Sequence, residues 1–98
     1  MKHFIIELTY TSNIEKIDEA LKEHREFLQI GYEKDMLLFS GPMNPRIGGI
    51  IIAKAKSEEE VREFFINDPY NINSLADYKI TEFTPVKYQS SLKEWIDG

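Results

Sequence analysis

The chain has no cysteine. Disulfides, Cys-based zinc sites and a thiol nucleophile are therefore excluded. Basic clusters are also missing. The 12 Lys and Arg are scattered among 17 Asp and Glu, for a formal net charge of −5. A nucleic-acid groove needs the opposite balance, so nucleic acid is not an expected partner. No apolar run approaches the roughly 20 residues a membrane span requires. The first one, Phe4-Ile5-Ile6, is stopped by Glu7, and it is also too short for the core of a signal peptide. These absences lead to the expectation of a cytoplasmic protein with no membrane partner. Two histidines far apart, His3 and His24, make no metal-site signature. Gly48-Gly49 lacks the lysine and the following helix of a phosphate loop.

What is present suits a small folded domain. Hydrophobic residues make up 42% of the chain and charged residues 30%, with six Phe, five Tyr and one Trp as core material. A length of 98 residues fits one domain spanning 1–98. No repeat, linker or low-complexity segment interrupts it.

Alternation marks His3 to Tyr10 as a strand, with Phe4, Ile6 and Leu8 on one face. Ser12 with Glu15 reads as a capping box opening a long helix, which runs from about Asn13 to about Gln29 or slightly beyond, with Gly31 as its end or a bend. Met36 to Ser40 reads as the second strand, closed by Gly41-Pro42 at a strand end or edge. Met43 to Arg46 is a hairpin loop, and Arg46 to Lys56 a third strand whose three isoleucines suggest a central position. Ser57 and Glu60 form a second capping box, opening a helix that buries Val61, Phe64 and Phe65 and ends before Asp68-Pro69. After the Asp-Pro turn, residues 72–76 suggest a helical turn and Tyr78 to Tyr88 the last strand. Residues 90–97 suggest a short helix docking Trp95.

This order, βαββαβ, is the ferredoxin-like plan: an α+β fold with an antiparallel four-stranded sheet and two helices on one face. The other face would then carry isoleucine and aromatic side chains with nothing over them. Such a patch is too large to leave wet, which implies a homodimer through the open sheet face.

Candidate chemistry centres on His24. The helix carries an apolar stripe of Ile14, Ile17, Leu21 and Leu28. At about 100° per residue His24 lies in the middle of it. A lone core histidine needs no function, but a general base needs a second group to orient it. Asp68, at the end of the second helix on the same sheet face, is the candidate partner, and its alternative role is turn formation. Ser40-Gly41-Pro42 offers a hydroxyl and a glycine that permits close approach or positive φ. Its alternative role is a plain strand end.

These residues together resemble the YciI-like (YCII-related) family. The resemblance rests on helix-borne His24, then Ser40-Gly41-Pro42-Met43, then Asp68-Pro69-Tyr70 after a Ser-Glu-Glu-Glu helix start, and spans about residues 3 to 88. It implies a dimeric α+β barrel, with His24 and Asp68 as the active-site pair. It also implies a small-ligand site including Ser40, Gly41, Pro42 and Tyr70. Most members of that family have no established reaction, and some relatives act on small ring compounds, in lactone isomerisation or dehalogenation. Some family features are absent. The arginine often found three residues before the histidine is Leu21, a glycine common after Asp-Pro-aromatic is Asn73 or Ser74, and a proline of the last strand is Phe83, with Pro85 two residues on. Arg25 or Arg46 is then the substitute anion-binding group to look for.

Two functions fit. In the first, the protein is a cofactor-independent small-molecule enzyme, an isomerase or lyase moving a proton next to a carbonyl through a His-Asp pair. Hydrolysis fits less well, because no nucleophile is marked. In the second, the same pocket belongs to a non-catalytic ligand-binding or regulatory dimer.

Overall fold

Strand β1 (Lys2–Tyr10) is the register strand of the molecule. In the computed structural model, which describes residues 1–98, it pairs antiparallel with β3 (Gly48–Ala55) on one side and with β4 (Ala76–Phe83) on the other. Strand β2 (Leu37–Pro42) pairs antiparallel with β3, so the sheet order is β2-β3-β1-β4. This is the ferredoxin-like α+β fold, with both sheet edges formed by the strands that follow a helix. Pro42 lies on the β2 edge, where its missing donor costs no ladder bond.

Helix α1 (Ile14–Glu33) and helix α2 (Glu58–Phe65) are the two crossovers. Phe4, Ile6 and Leu8 of β1 face the helices and are buried, together with Ile51, Ala53 and Ala55 of β3. The period of two along both strands puts all six on one face. Ile17, Ala20, Leu28, Val61 and Phe65 close over them.

The caps differ from the sequence reading. Asn13, not Ser12, starts α1: its side chain accepts from the Lys16 amide at 3.0 Å. With the first helical residue at Ile14, only Asn13 is within reach of that orphan donor. Gly31 does not end α1, which continues to Glu33. It is buried, and a Cβ there would meet the Leu37 and Phe64 side chains at 2.7–2.9 Å, so it serves packing. Beyond the C-cap Lys34 the chain is turned away by Asp35 (φ 64°), with Met36 N–H bonded to Gly31 C=O and Asp35 N–H to Tyr32 C=O. These are the two bonds of a Schellman stop. In α2, Ser57 caps the Glu60 amide at 3.2 Å as expected. The helical turn after it, α3 (Pro69–Ile72), comes earlier than residues 72–76, because Asp68 is its N-cap and Pro69 its first residue.

Strand β4 ends at Phe83, not Tyr88. Phe83 pairs with His3 near the start of β1, so later residues have no partner strand. A 3-10 turn (Ser90–Leu92) and helix α4 (Lys93–Asp97) follow. They return to the outer sheet face. His3 Nε2 lies 3.1 Å from the Ile96 carbonyl, Lys54 Nζ donates to the Trp95 carbonyl at 2.6 Å, and the Trp95 ring lies beside both. His3 is consequently buried, contrary to the surface position expected from the sequence, and one end of the outer face is covered by the chain itself. No helix is long and apolar enough to cross a membrane.

Candidate active site

Three elements deliver the site. Helix α1 carries His24 on its buried stripe. The junction of α2 and α3 carries Asp68 and Tyr70. The end of β2 carries Ser40, Gly41 and Pro42. His24 and Asp68 are 44 positions apart, yet His24 Nδ1 lies 2.8 Å from Asp68 Oδ1.

Asp68 is fully buried, 0% exposed. Its Oδ1 also accepts the Tyr70 backbone amide at 3.0 Å, and its Oδ2 accepts the Tyr78 hydroxyl at 2.6 Å. One carboxylate thus serves three donors: a helix cap, a strand side chain and the imidazole. A carboxylate only accepts, so the hydrogen on His24 is assigned to Nδ1. Nε2 is then the basic nitrogen, and His24 lines a cavity of about 390 Å³.

Tyr70 lies against the imidazole, ring centroids 3.9 Å apart and planes 8° from parallel. It is 1% exposed. Burial pushes its phenol up to about 12. Burial, followed by the hydrogen bond to the Asp68 carboxylate, raises Tyr78 further still. Both tyrosines are therefore neutral donors across the physiological range.

The cavity wall includes His24, Tyr70, Ser40, Gly41 and Pro42, every side chain singled out in the sequence except Asp68, which stands behind the imidazole. Leu8, Leu21, Leu28 and Ile51 supply apolar surface, and Tyr10, Arg25 and Arg46 supply polar groups. Ser40 Oγ is 2.7 Å from Tyr32 Oη. Gly41 needs neither positive φ nor a close approach, since a Cβ there would meet nothing within 4 Å. The glycine the sheet requires is Gly48, where a Cβ would run into the Leu8 carbonyl oxygen.

Sequence reasoning missed Tyr78 and Tyr10. Tyr78 falls on the helix-facing side of β4, which an alternation reading does reveal, but nothing local shows that its hydroxyl meets Asp68. Of the two positions expected to replace a glycine after Asp-Pro-aromatic, Asn73 and Ser74, it is Ser74 that adopts a positive φ, 55°. That backbone is the left-handed conformation glycine favours.

The topology places the chain among ferredoxin-like α+β domains. Within that class residues 1–84 match the YCII-related domain, and the chain belongs to that family. The fold is similar to that of 5-chloro-2-hydroxyhydroquinone dehydrochlorinase from Burkholderia phenoliruptrix AC1100, solved in complex with 2,5-dihydroxybenzoquinone. The TM-score is 0.69 at 19% identity, covering 85% of this chain and 93% of that one. No curated protein matches the sequence.

Proposed function

We propose that the protein is a small-molecule enzyme in which His24 is the general acid/base and Asp68 orients it. The observation that carries this reading is the 2.8 Å His24–Asp68 contact, which commits Nδ1 and leaves Nε2 as the free nitrogen of a histidine that lines a cavity of about 390 Å³. That volume suits a single small ring. His24 takes a proton from a carbon next to a carbonyl, and the electron pair of the broken C–H bond moves into an enolate. Return of the proton elsewhere completes an isomerisation, and loss of a leaving group completes an elimination. Membership in the YCII-related family and a fold shared with a dehydrochlorinase support this class of chemistry. Ser40, Gly41, Pro42 and Tyr70 bind the substrate.

The test is a screen of lactones, enol-type acids and halogenated hydroxyquinols against the wild type and His24→Ala. The variant is expected to lose about 10²- to 10⁴-fold in turnover, the usual share of general acid–base catalysis. Turnover unaffected by the substitution removes His24 from the mechanism. Saturable binding with no turnover by either protein supports the regulatory-module reading instead.

The assembly proposed is a homodimer through the outer sheet face. Phe39 (58% exposed), Ile50 (40%) and Phe83 (37%) remain open on it, beyond the part covered by α4. Sedimentation at micromolar concentration is expected to give the mass of two chains, and a monomer overturns the assignment.

A further inference from the structure

The Tyr70 hydroxyl is buried and has no hydrogen-bond partner in the protein, alone among the buried side-chain polar atoms. Native interiors rarely leave such a donor unmade unless something else completes it. Tyr70 lines the cavity beside His24. Its position is set twice, by the backbone bond to Asp68 and by the stack on the imidazole. Its hydroxyl is therefore held at a defined place relative to the basic nitrogen.

Two cations share that cavity wall, Arg25 and Arg46. Arg46 comes from the loop between β2 and β3 and is pinned. Its Nη1 contacts Asp18 Oδ1 of α1 at 2.7 Å, and its guanidinium lies 6.0 Å from the centre of the Tyr10 ring. Asp18 first, and the Tyr10 hydroxyl second, raise Arg46 above the ordinary value. A guanidinium has five donors in a fixed fork, so the bond to Asp18 orients the group and leaves others for a ligand. Leu21 of α1 contributes apolar wall. The positive charge of this cavity comes from Arg25 of α1 and from Arg46, which the loop brings against the first turns of the same helix at Asp18.

We propose that the Tyr70 hydroxyl and the Arg46 guanidinium form an oxyanion-binding subsite, so that the cavity takes a small ring compound carrying an acidic oxygen. This deepens the reading of the cavity as an active site and rests on it. The ligand oxygen accepts from Tyr70 and Arg46, the ring lies on Leu8, Leu21 and Ile51, and the proton to be moved faces His24 Nε2. The same donors meet the negative charge that develops on the oxygen when His24 removes that proton. Because burial keeps the Tyr70 phenol protonated to about pH 12, it donates throughout the physiological range.

The experiment uses two quinones of similar shape. 2,5-Dihydroxybenzoquinone is acidic and anionic at neutral pH, and 2,5-dimethoxybenzoquinone is uncharged. Calorimetric titration of the wild type is expected to show a preference of tenfold or more for the acidic quinone. Tyr70→Phe and Arg46→Gln are each expected to weaken the acidic quinone by about tenfold, the worth of one hydrogen bond to a charged group. Binding of the dimethoxy compound stays unchanged, and Arg46→Lys recovers part of the loss. The thermal midpoint of Tyr70→Phe stays level or rises, because the deleted hydroxyl has no partner in the protein. A merely structural tyrosine would lower it. Equal affinity for the two quinones, no binding of the acidic one at millimolar concentration, or unchanged affinity in Tyr70→Phe overturns the subsite. A preference retained in His24→Ala, with no turnover by the wild type, supports the subsite and removes the proton-transfer reading. Turnover that depends on His24 without any charge preference removes the subsite alone.

Discussion

The His24 imidazole and the Tyr70 ring lie parallel at 3.9 Å, and both are tied to the same oxygen, Asp68 Oδ1. The tyrosine is bound through its backbone amide and the histidine through Nδ1. The stack and the two hydrogen bonds hold the imidazole in one orientation, with Nδ1 committed to Asp68. Offset aromatic contacts of this kind contribute about 0.5–1.5 kcal/mol beyond the area they bury. The Asp-Pro turn at residue 68 is thus a helix cap and a histidine clamp at once.

Replacing Asp68 by asparagine separates these jobs. The Tyr70 amide is a backbone donor and cannot turn, so the new amide keeps its oxygen there and presents its NH2 to the Tyr78 hydroxyl, which can accept. We expect Asp68→Asn to retain hydrogen on His24 Nδ1 and to lose the anion behind it. Turnover should fall about 10²-fold or more, within the range general acid–base catalysis supplies. Long-range 1H–15N spectra of the imidazole check the tautomer, and a change of tautomer would refute the account.

Tyr78→Phe removes the donor on Asp68 Oδ2 and keeps the ring that packs on Phe65 at 5.7 Å. A hydrogen bond to a charged, buried acceptor is worth roughly 1.5–3 kcal/mol. Chemical denaturation should show a loss of about 2 kcal/mol, with a drop in thermal midpoint of roughly 10 °C for a domain of this size. A variant as stable as the wild type would mean that Asp68 does not depend on this donor.

Alkaline pH acts on the same two tyrosines. Their folded pKa values lie above the ordinary 10.0, Tyr70 at about 12 and Tyr78 higher still. Between pH 10 and 12 the unfolded chain therefore binds fewer protons than the folded one, and stability falls as pH rises. Their contribution is full below pH 10 and is lost at up to about 1.4 kcal/mol per pH unit for each tyrosine above it. Phenolate absorbance should show these two lagging the unfolded chain, with unfolding monitored in parallel by circular dichroism. Unchanged stability between pH 10 and 11.5 would contradict the buried phenols.

Two glycines are expected to differ in cost. Gly48→Ala drives a Cβ into the Leu8 carbonyl of the central ladder, a backbone atom that cannot step aside. A loss of about 3 kcal/mol or more is expected. Gly31→Ala meets side-chain ends of Leu37 and Phe64, and helix propensity returns roughly 1 kcal/mol. Its net loss should be near 1 kcal/mol. Equilibrium unfolding of the pair gives the order, and the reverse order would overturn the packing argument.

Ser74→Gly should stabilise the protein. Ser74 holds φ 55°, which costs a side-chain-bearing residue roughly 1–2 kcal/mol. Glycine avoids that cost and loses about 0.5–1 kcal/mol of chain entropy. A gain of about 0.5 kcal/mol and a few degrees in thermal midpoint are expected, and a lower midpoint would refute the assignment of strain.

Much of the fold was legible in the chain. Strand alternation put Phe4, Ile6 and Leu8 on one face, and the helical period put His24 on the inner stripe of α1. Both are local periodicities that a folded backbone cannot escape. Less legible were the ends. Asn13 displaced Ser12 as cap, and Gly31 turned from helix stop to packing site. The last strand stopped at Phe83 for want of a partner. Each of these depends on what stands opposite in space.

The βαββαβ order, the inward histidine, and an aspartate placed before a proline where a second helix ends are all written in the chain. They are legible there because periodicity, capping and the X-Pro restriction act within a few neighbouring residues. Packing in three dimensions is what brings Asp68 to His24, Tyr70 and Tyr78 at once, lays Tyr70 flat on the imidazole with its hydroxyl unpaired, and carries Arg46 from the β2–β3 loop to a cavity wall where Leu21 offers no charge. Those relationships join residues from helix, loop and strand across the sheet. Hydrogen bonds of fixed length and buried groups that must find partners set them, and no local spacing encodes either.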